Sequence, residues 1–111
     1  LVNQIAIKTI ELMREMGAQD ISATIGPAIC GSCYEVSADI HQEVISQFPS
    51  ADARTASGSL ALDLPKALYG VLQSVGVSIN SSESRCTVED PALFSYRRDG
   101  VTGRQAGLVS L

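Results

Sequence analysis

Apolar residues return every third or fourth position at the start of the chain: Val2, Ile5, Ala6, Ile10, Met13 and Met16, with Gln4, Lys8, Glu11, Arg14 and Glu15 on the other side. That spacing predicts an amphipathic helix closed by Gly17. Ile21-Ser22-Ala23-Thr24-Ile25 then alternates apolar and polar, a half-buried strand ending at Gly26-Pro27. A turn follows from Gly26 to Val36, at the strand's C-terminal end, where open α/β sheets place ligands. Ser37 is positioned to cap a helix running to about Phe48, with Ile40, Val44, Ile45 and Phe48 as its inner face. Residues Pro49 to Gly58 are small, polar and turn-rich and read as a surface loop.

Ser59 to Leu62 is a short strand candidate. Asp63 begins a helix with Pro65 in its first turn, a buried stripe of Leu64, Leu68, Val71, Leu72 and Val75, and a stop at Gly76. Val77-Ser78-Ile79 alternates like another strand, Asn80 to Ser84 reads as loop, Arg85 to Val88 as a further strand candidate, and Gln105 to Leu111 as a final strand. Helices and strands in this order predict an α/β or α+β layered sandwich with a mixed sheet.

One stretch breaks the pattern. Phe94 to Arg104 gathers Arg97, Arg98 and Arg104 with Gly100, Gly103 and three hydroxyls, in a chain whose Lys and Arg total only eight. Guanidinium forks match phosphate or carboxylate, and glycines let the backbone approach what the fork holds. Arg-Asp-Gly is equally a turn, with Arg97 or Arg98 paired to Asp99, to Glu35 or to other carboxylates, and spacing alone leaves both readings open.

Composition narrows the partners. The 111 residues make one segment with a packable apolar fraction of 45%. A net charge of −4 and the absence of tryptophan argue against nucleic acid. No apolar run approaches the roughly 20 residues that cross a bilayer, and no signal-peptide pattern opens the chain, so a cytoplasmic setting and no membrane partner are expected.

Three cysteines and one histidine are the remaining reactive groups. Cys30-Gly-Ser-Cys33 has C-x-x-C spacing, and with His41 and Cys86 it would make a Cys3His zinc set. Structural zinc typically needs two close pairs of ligands and only one cysteine pair is present, so reduced thiols are the preferred reading. His41 has no partner visible in the sequence and reads as a satisfied helical residue; a nucleophilic pair of Cys86 with His41 stays open.

In combination, Ile25-Gly26-Pro27-Ala28-Ile29, Cys33-Tyr34-Glu35-Val36, Leu62-Asp63-Leu64, Cys86-Thr87, Phe94-Ser95-Tyr96-Arg97-Arg98-Asp99-Gly100 and Thr102-Gly103-Arg104 resemble the YfiH-like family, also called the laccase-domain or multicopper polyphenol oxidoreductase family. The resemblance implies a zinc-dependent purine nucleoside phosphorylase taking adenosine, inosine, guanosine and methylthioadenosine with phosphate, together with adenosine deamination. Polyphenol oxidation with copper and editing of peptidoglycan precursors are the alternatives linked to the family.

The family's zinc ligands, two histidines and a cysteine, belong to upstream motifs that this sequence does not contain. The resemblance therefore implies the C-terminal half of a larger domain, with zinc in the intact protein held outside this segment. The start at Leu1, directly on a helical pattern, agrees with that expectation. No catalytic residue and no metal ligand is carried over here. Arg97, Arg98 and Arg104 are the expected anion holders, with Tyr34 and Cys30 as pocket lining. A half lacking the metal site would be a non-catalytic packing fragment by itself, with the N-terminal half or another copy of the chain as its partner.

Overall fold

A computed structural model describes residues 1–110. The first helix, α1, runs Ile5–Glu15, and its Arg14 guanidinium donates to the Val75 carbonyl. Strand β1, Ser22–Ile25, pairs in parallel with β4, Ser78–Ser82, and between them in sequence lie α2 (Ala38–Gln47), β2 (Asp52–Arg54), β3 (Leu60–Leu62) and α3 (Leu64–Ser74). Strands β2 and β3 are antiparallel, and a short helix α4, Tyr96–Asp99, ends the regular structure. This is an α+β layered fold, with the parallel and antiparallel pairings in two separate two-stranded sheets rather than one mixed sheet.

Two apolar clusters hold it. Ile10, Ile21, Ile25, Leu72 and Val77 join α1, β1, α3 and the approach to β4. Val44, Ala51, Leu62 and Ala67 join α2, β3 and α3. Helix α3 supplies Leu72 to one and Ala67 to the other, so its stripe is the shared wall. Its start is set by Asp63, whose side chain accepts from the Lys66 N–H at 3.0 Å, with proline tolerated in the first turn because that N–H has no helical acceptor. Gly76, at φ 75°, turns the chain out of α3 in a conformation that a side chain would strain.

Several expectations change on contact with tertiary structure. The loop expected over Pro49 to Gly58 contains a 3-10 turn, Pro49–Ala51, and β2, and Ala51 is wholly buried. Strand pairing with Leu60–Leu62 recruits Asp52–Arg54 although their composition is polar. Strand β4 continues to Ser82 through the expected loop, because β1 pairs Thr24 with Ser81 and Ile25 with Ser82 across an irregularity.

Arg85 to Val88 is not a strand; it makes a single parallel bridge, Ala28 to Cys86. The expected strand from Gln105 to Leu111 is absent over residues 105–110, where Leu108 and Val109 stand 99% and 96% exposed, and Leu111 lies outside the described residues. Apolar composition alone does not make a strand without a neighbour to take its backbone groups. On α2 the inner face is rotated: Ile40 is exposed and His41 buried, so the packed row reads His41, Val44, Ile45, Phe48.

Candidate functional site

The parallel pair β1–β4 continues past its strand ends. Glu83 N–H donates to the Ile25 carbonyl at 2.8 Å, Thr87 N–H to Ala28 at 3.1 Å, and the Cys30 N–H to the Cys86 sulfur at 3.3 Å. The Gly26–Val36 turn is thereby sewn to the segment after β4, at the C-terminal ends of parallel strands.

Between the two segments Cys30, Cys33, Cys86 and Glu89 converge, their sulfur and carboxylate atoms all within 4.8 Å of one another. Cys33 Sγ lies 3.3 Å and Cys30 Sγ 3.7 Å from Glu89 Oε1, and Cys30 Sγ is 3.2 Å from the Ser32 hydroxyl. All three thiols are free. Burial pushes the Cys33 thiol up to about 12, and hydrogen bonds with Cys30, Glu89 and Cys86 push it the same way. Burial also opposes ionisation of Cys86, but N–H donors from Cys30, Glu89 and Val88 overcome it and hold that thiol below its usual range. Gly31 makes the turn possible, since a Cβ there would stand 2.9 Å from the Cβ of Asp63.

His41 is not part of this cluster. Its Nε2 lies 2.8 Å from Asp52 Oδ1, buried at the α2–β2 junction, where Arg54 Nη1 reaches the same carboxylate oxygen at 2.7 Å. The Cys3His set weighed from sequence is thus replaced by three cysteines and a glutamate. Glu89 was missed as a member, yet a signal existed: Cys86-x-x-Glu89 repeats the spacing of Cys30-x-x-Cys33 and supplies the second close pair.

Tyr34 to Val36 runs beside β3: Leu62 N–H donates to the Tyr34 carbonyl at 3.1 Å, and Val36 N–H to the Leu60 carbonyl at 3.0 Å. This presents Tyr34 to α4, where the Arg97 guanidinium carbon sits 5.0 Å from the ring centroid and Nη1 donates to the Glu35 carbonyl at 2.9 Å. A cation over an aromatic face is held in place without losing its charge.

The neighbouring Arg98 turns the other way. Its Nη1 donates to the Thr87, Val88 and Asp90 carbonyls, at 2.9, 3.2 and 3.1 Å, and its Nη2 to Leu93 at 2.8 Å. Its Nε and Nη2 also grip Asp99 at 2.9 and 2.8 Å. The Asp99 bond raises the arginine's affinity for its proton and holds the Asp99 carboxyl below its usual range. Arg104 is exposed and lines an open groove with Phe94, Tyr96, Gly100, Val101 and Gly103. The structure therefore joins Cys30 to the thiol cluster, Tyr34 to Arg97, Arg98 to the loop that carries Glu89, and Arg104 to a separate groove.

The whole of residues 1–111 matches the family described as multi-copper polyphenol oxidoreductase laccase, and the chain belongs to that family. Among curated relatives, a purine nucleoside phosphorylase of Corynebacterium glutamicum is 45% identical over 111 residues, covering 98% of this chain and 45% of that relative. One from Mycobacterium tuberculosis is 43% identical over 107 residues, covering 95% and 43%, and one from Streptomyces coelicolor 41% identical over 113 residues, covering 100% and 47%. The chain spans just under half the length of these relatives. No solved structure matches.

The family's description names copper, whose oxidase sites are built largely from imidazoles. The one histidine here is bonded to Asp52, so the residues of this segment do not fit a multi-copper set. Three sulfurs and a carboxylate could instead hold a single thiophilic ion in tetrahedral geometry.

Proposed function

We propose that this chain is part of a zinc-dependent purine nucleoside phosphorylase, acting on adenosine, inosine, guanosine and methylthioadenosine, with adenosine deamination as a second activity of the intact protein. The observation that carries the phosphorylase reading is the 45% identity, over nearly the whole chain, to a protein named a purine nucleoside phosphorylase. The zinc, the substrate range and the deamination follow from the family resemblance. In phosphorolysis a phosphate oxygen bonds to the ribose anomeric carbon as the bond to the purine nitrogen breaks, giving a sugar phosphate and free base. The anionic nucleophile needs fixed positive charge beside it. Zinc, held by residues outside this segment, supplies Lewis acidity when bound.

Arg97 is the residue we assign to phosphate. It is exposed, oriented by Tyr34 and the Glu35 carbonyl, and its other N–H groups are suited to an anion. Arg104 is the second candidate, from its open groove. Arg98 acts by holding the loop from Thr87 to Leu93, and Cys30 by holding the turn that leads to Tyr34. A companion segment or second copy would cover the apolar cleft of about 260 Å³ between α1 and α3, lined by Ile5, Leu64, Pro65, Leu68 and Val71. Among the described residues no helix is long and apolar enough to cross a membrane, and we assign the enzyme to the cytoplasm.

The test is phosphorolysis of inosine and adenosine by the full-length protein and its Arg97→Ala variant. Loss of a charge-assisted bond to phosphate should raise the phosphate KM about tenfold or more, with the circular dichroism unchanged. An unchanged phosphate KM removes Arg97 from that role. Absence of phosphorolysis in the full-length protein, with release of an amino acid from a muramyl-linked precursor instead, overturns the phosphorylase reading.

A further inference from the structure

We propose that Cys30, Cys33, Cys86 and Glu89 bind one thiophilic divalent cation, with zinc as the natural occupant, and that the ion clamps the Gly26–Val36 turn to the segment following β4. The inference goes beyond phosphorolysis and stands or falls separately from it.

Geometry carries it. A tetrahedral zinc with sulfur ligands at about 2.3 Å and a carboxylate oxygen at about 2.0–2.2 Å needs neighbouring ligand atoms about 3.4–3.8 Å apart. The Glu89 oxygen lies 3.3 Å and 3.7 Å from two of the sulfurs, and all four ligand atoms fall within 4.8 Å of one another. Side chains need only small adjustments to close around an ion. The four come as two pairs at i, i+3 spacing, one on each segment, the usual arrangement by which a structural ion joins two short loops.

The backbone around the donors is already set to support thiolates. The Cys30 N–H points at the Cys86 sulfur, at 3.3 Å, a second layer of contact that orients a ligand and stabilises its negative charge. Asp90 N–H donates to the Cys86 carbonyl at 2.9 Å, closing the turn that brings Glu89 over Cys86, and Arg98 holds the Thr87, Val88 and Asp90 carbonyls of that turn. Burial differs among the donors: Cys86 is buried, Cys30 and Cys33 half-buried and Glu89 exposed, which leaves an entrance on the carboxylate side.

On binding, the thiols release their protons to solvent and the sulfurs donate to the ion, so no electron is transferred. Four protein donors fill the tetrahedron and leave no open position, which makes the ion structural. Its mechanical effect reaches Tyr34, one residue beyond Cys33, and through it the placement of Arg97.

The experiment uses the full-length protein, purified under reducing conditions, with added cobalt(II) and zinc(II) as probes. Cobalt should produce the near-ultraviolet charge-transfer absorption of thiolate ligation. Cys86→Ser should remove most of that absorption and lower bound zinc by one equivalent relative to the unmodified protein. Glu89→Gln, a near-isosteric change at an exposed position, should keep the thiolate absorption and weaken zinc binding about tenfold or more. Zinc should also slow alkylation of all three cysteines in the unmodified protein, a reading that needs no variant. The proposal is overturned by cobalt absorption that Cys86→Ser leaves intact, by alkylation rates indifferent to zinc, or by a Cys30–Cys33 disulfide as the resting form under the same reducing conditions.

Discussion

The two halves of this molecule are held by different forces. Around α3, stability comes from apolar side chains at helical and strand spacing: Ile10, Ile25, Leu72 and Val77 on one side, Val44, Leu62 and Ala67 on the other. Around the Gly26–Val36 turn and residues 83–104 there is little to bury, Cys86, Leu93 and Ser95 being the buried residues there apart from Gly31. That region is tied by polar atoms reaching backbone carbonyls, above all those of Arg98. An apolar core tolerates many sequences of similar volume, whereas a polar clamp depends on individual atoms. The candidate chemistry sits on the second kind of structure.

Substitutions should separate the two. The largest global effect is expected from Leu62→Ala: the side chain is 1% exposed, and truncation should cost about 2–5 kcal/mol in denaturant unfolding. A cost under about 1 kcal/mol would show that the antiparallel sheet does not anchor the core. Next comes Gly31→Ala, whose methyl would meet the Asp63 side chain. We expect about 1–3 kcal/mol of destabilisation and displacement of the Cys30–Cys33 turn, seen as faster thiol alkylation.

Arg98→Ala should leave the core clusters intact and act locally, releasing the carbonyls of Thr87, Val88, Asp90 and Leu93. Amide hydrogen exchange should accelerate across residues 86–94 and stay unchanged in α1 and α3; uniform acceleration would show that the two regions unfold as one. The smallest effect is on pH. Asp52, through its bonds to His41 and Arg54, and Asp99, through Arg98, are both held below the ordinary value near 3.8. Depressed carboxyls contribute stability that is present above pH 3.8 and is lost as pH falls through their lower folded values. Asp99→Asn should flatten the acid limb of the unfolding profile slightly, and an unaltered limb would remove Asp99 from that balance.

These differences explain what could be read in advance. The helices α1, α2 and α3, their caps at Ser37 and Asp63, and the strand Ser22–Ile25 follow from spacing because each has an apolar face at a fixed period. Asp52–Arg54 could not be read as a strand, since its pairing is set by Leu60–Leu62 and not by its own polar residues. Gln105 to Leu111 has the composition of a strand, yet over residues 105–110 the chain forms none and Leu108 and Val109 stand exposed. Arg97 and Arg98 are adjacent and alike in sequence, and α4 sends one to the Tyr34 face and the other into a set of carbonyls. A single C-x-x-C looked unpaired because its counterpart, Cys86-x-x-Glu89, has a carboxylate in place of the second sulfur.

The sequence by itself determined the α+β class, the family, and the residue types available for chemistry: three thiols, three arginines in one stretch and a single histidine. These rest on local period, composition and motif order, which exist before folding. Only tertiary structure decided that Glu89, and not His41, completes the thiol cluster, and that Arg98 holds a loop while Arg97 faces outward over Tyr34. Joining the two thiol-bearing segments and seating Arg97 over Tyr34 depend on contacts between residues 56 to 63 positions apart, set by how β1 and β4 align and where α4 docks. The local spacing of Cys86 and Glu89 therefore names candidates without bringing them together.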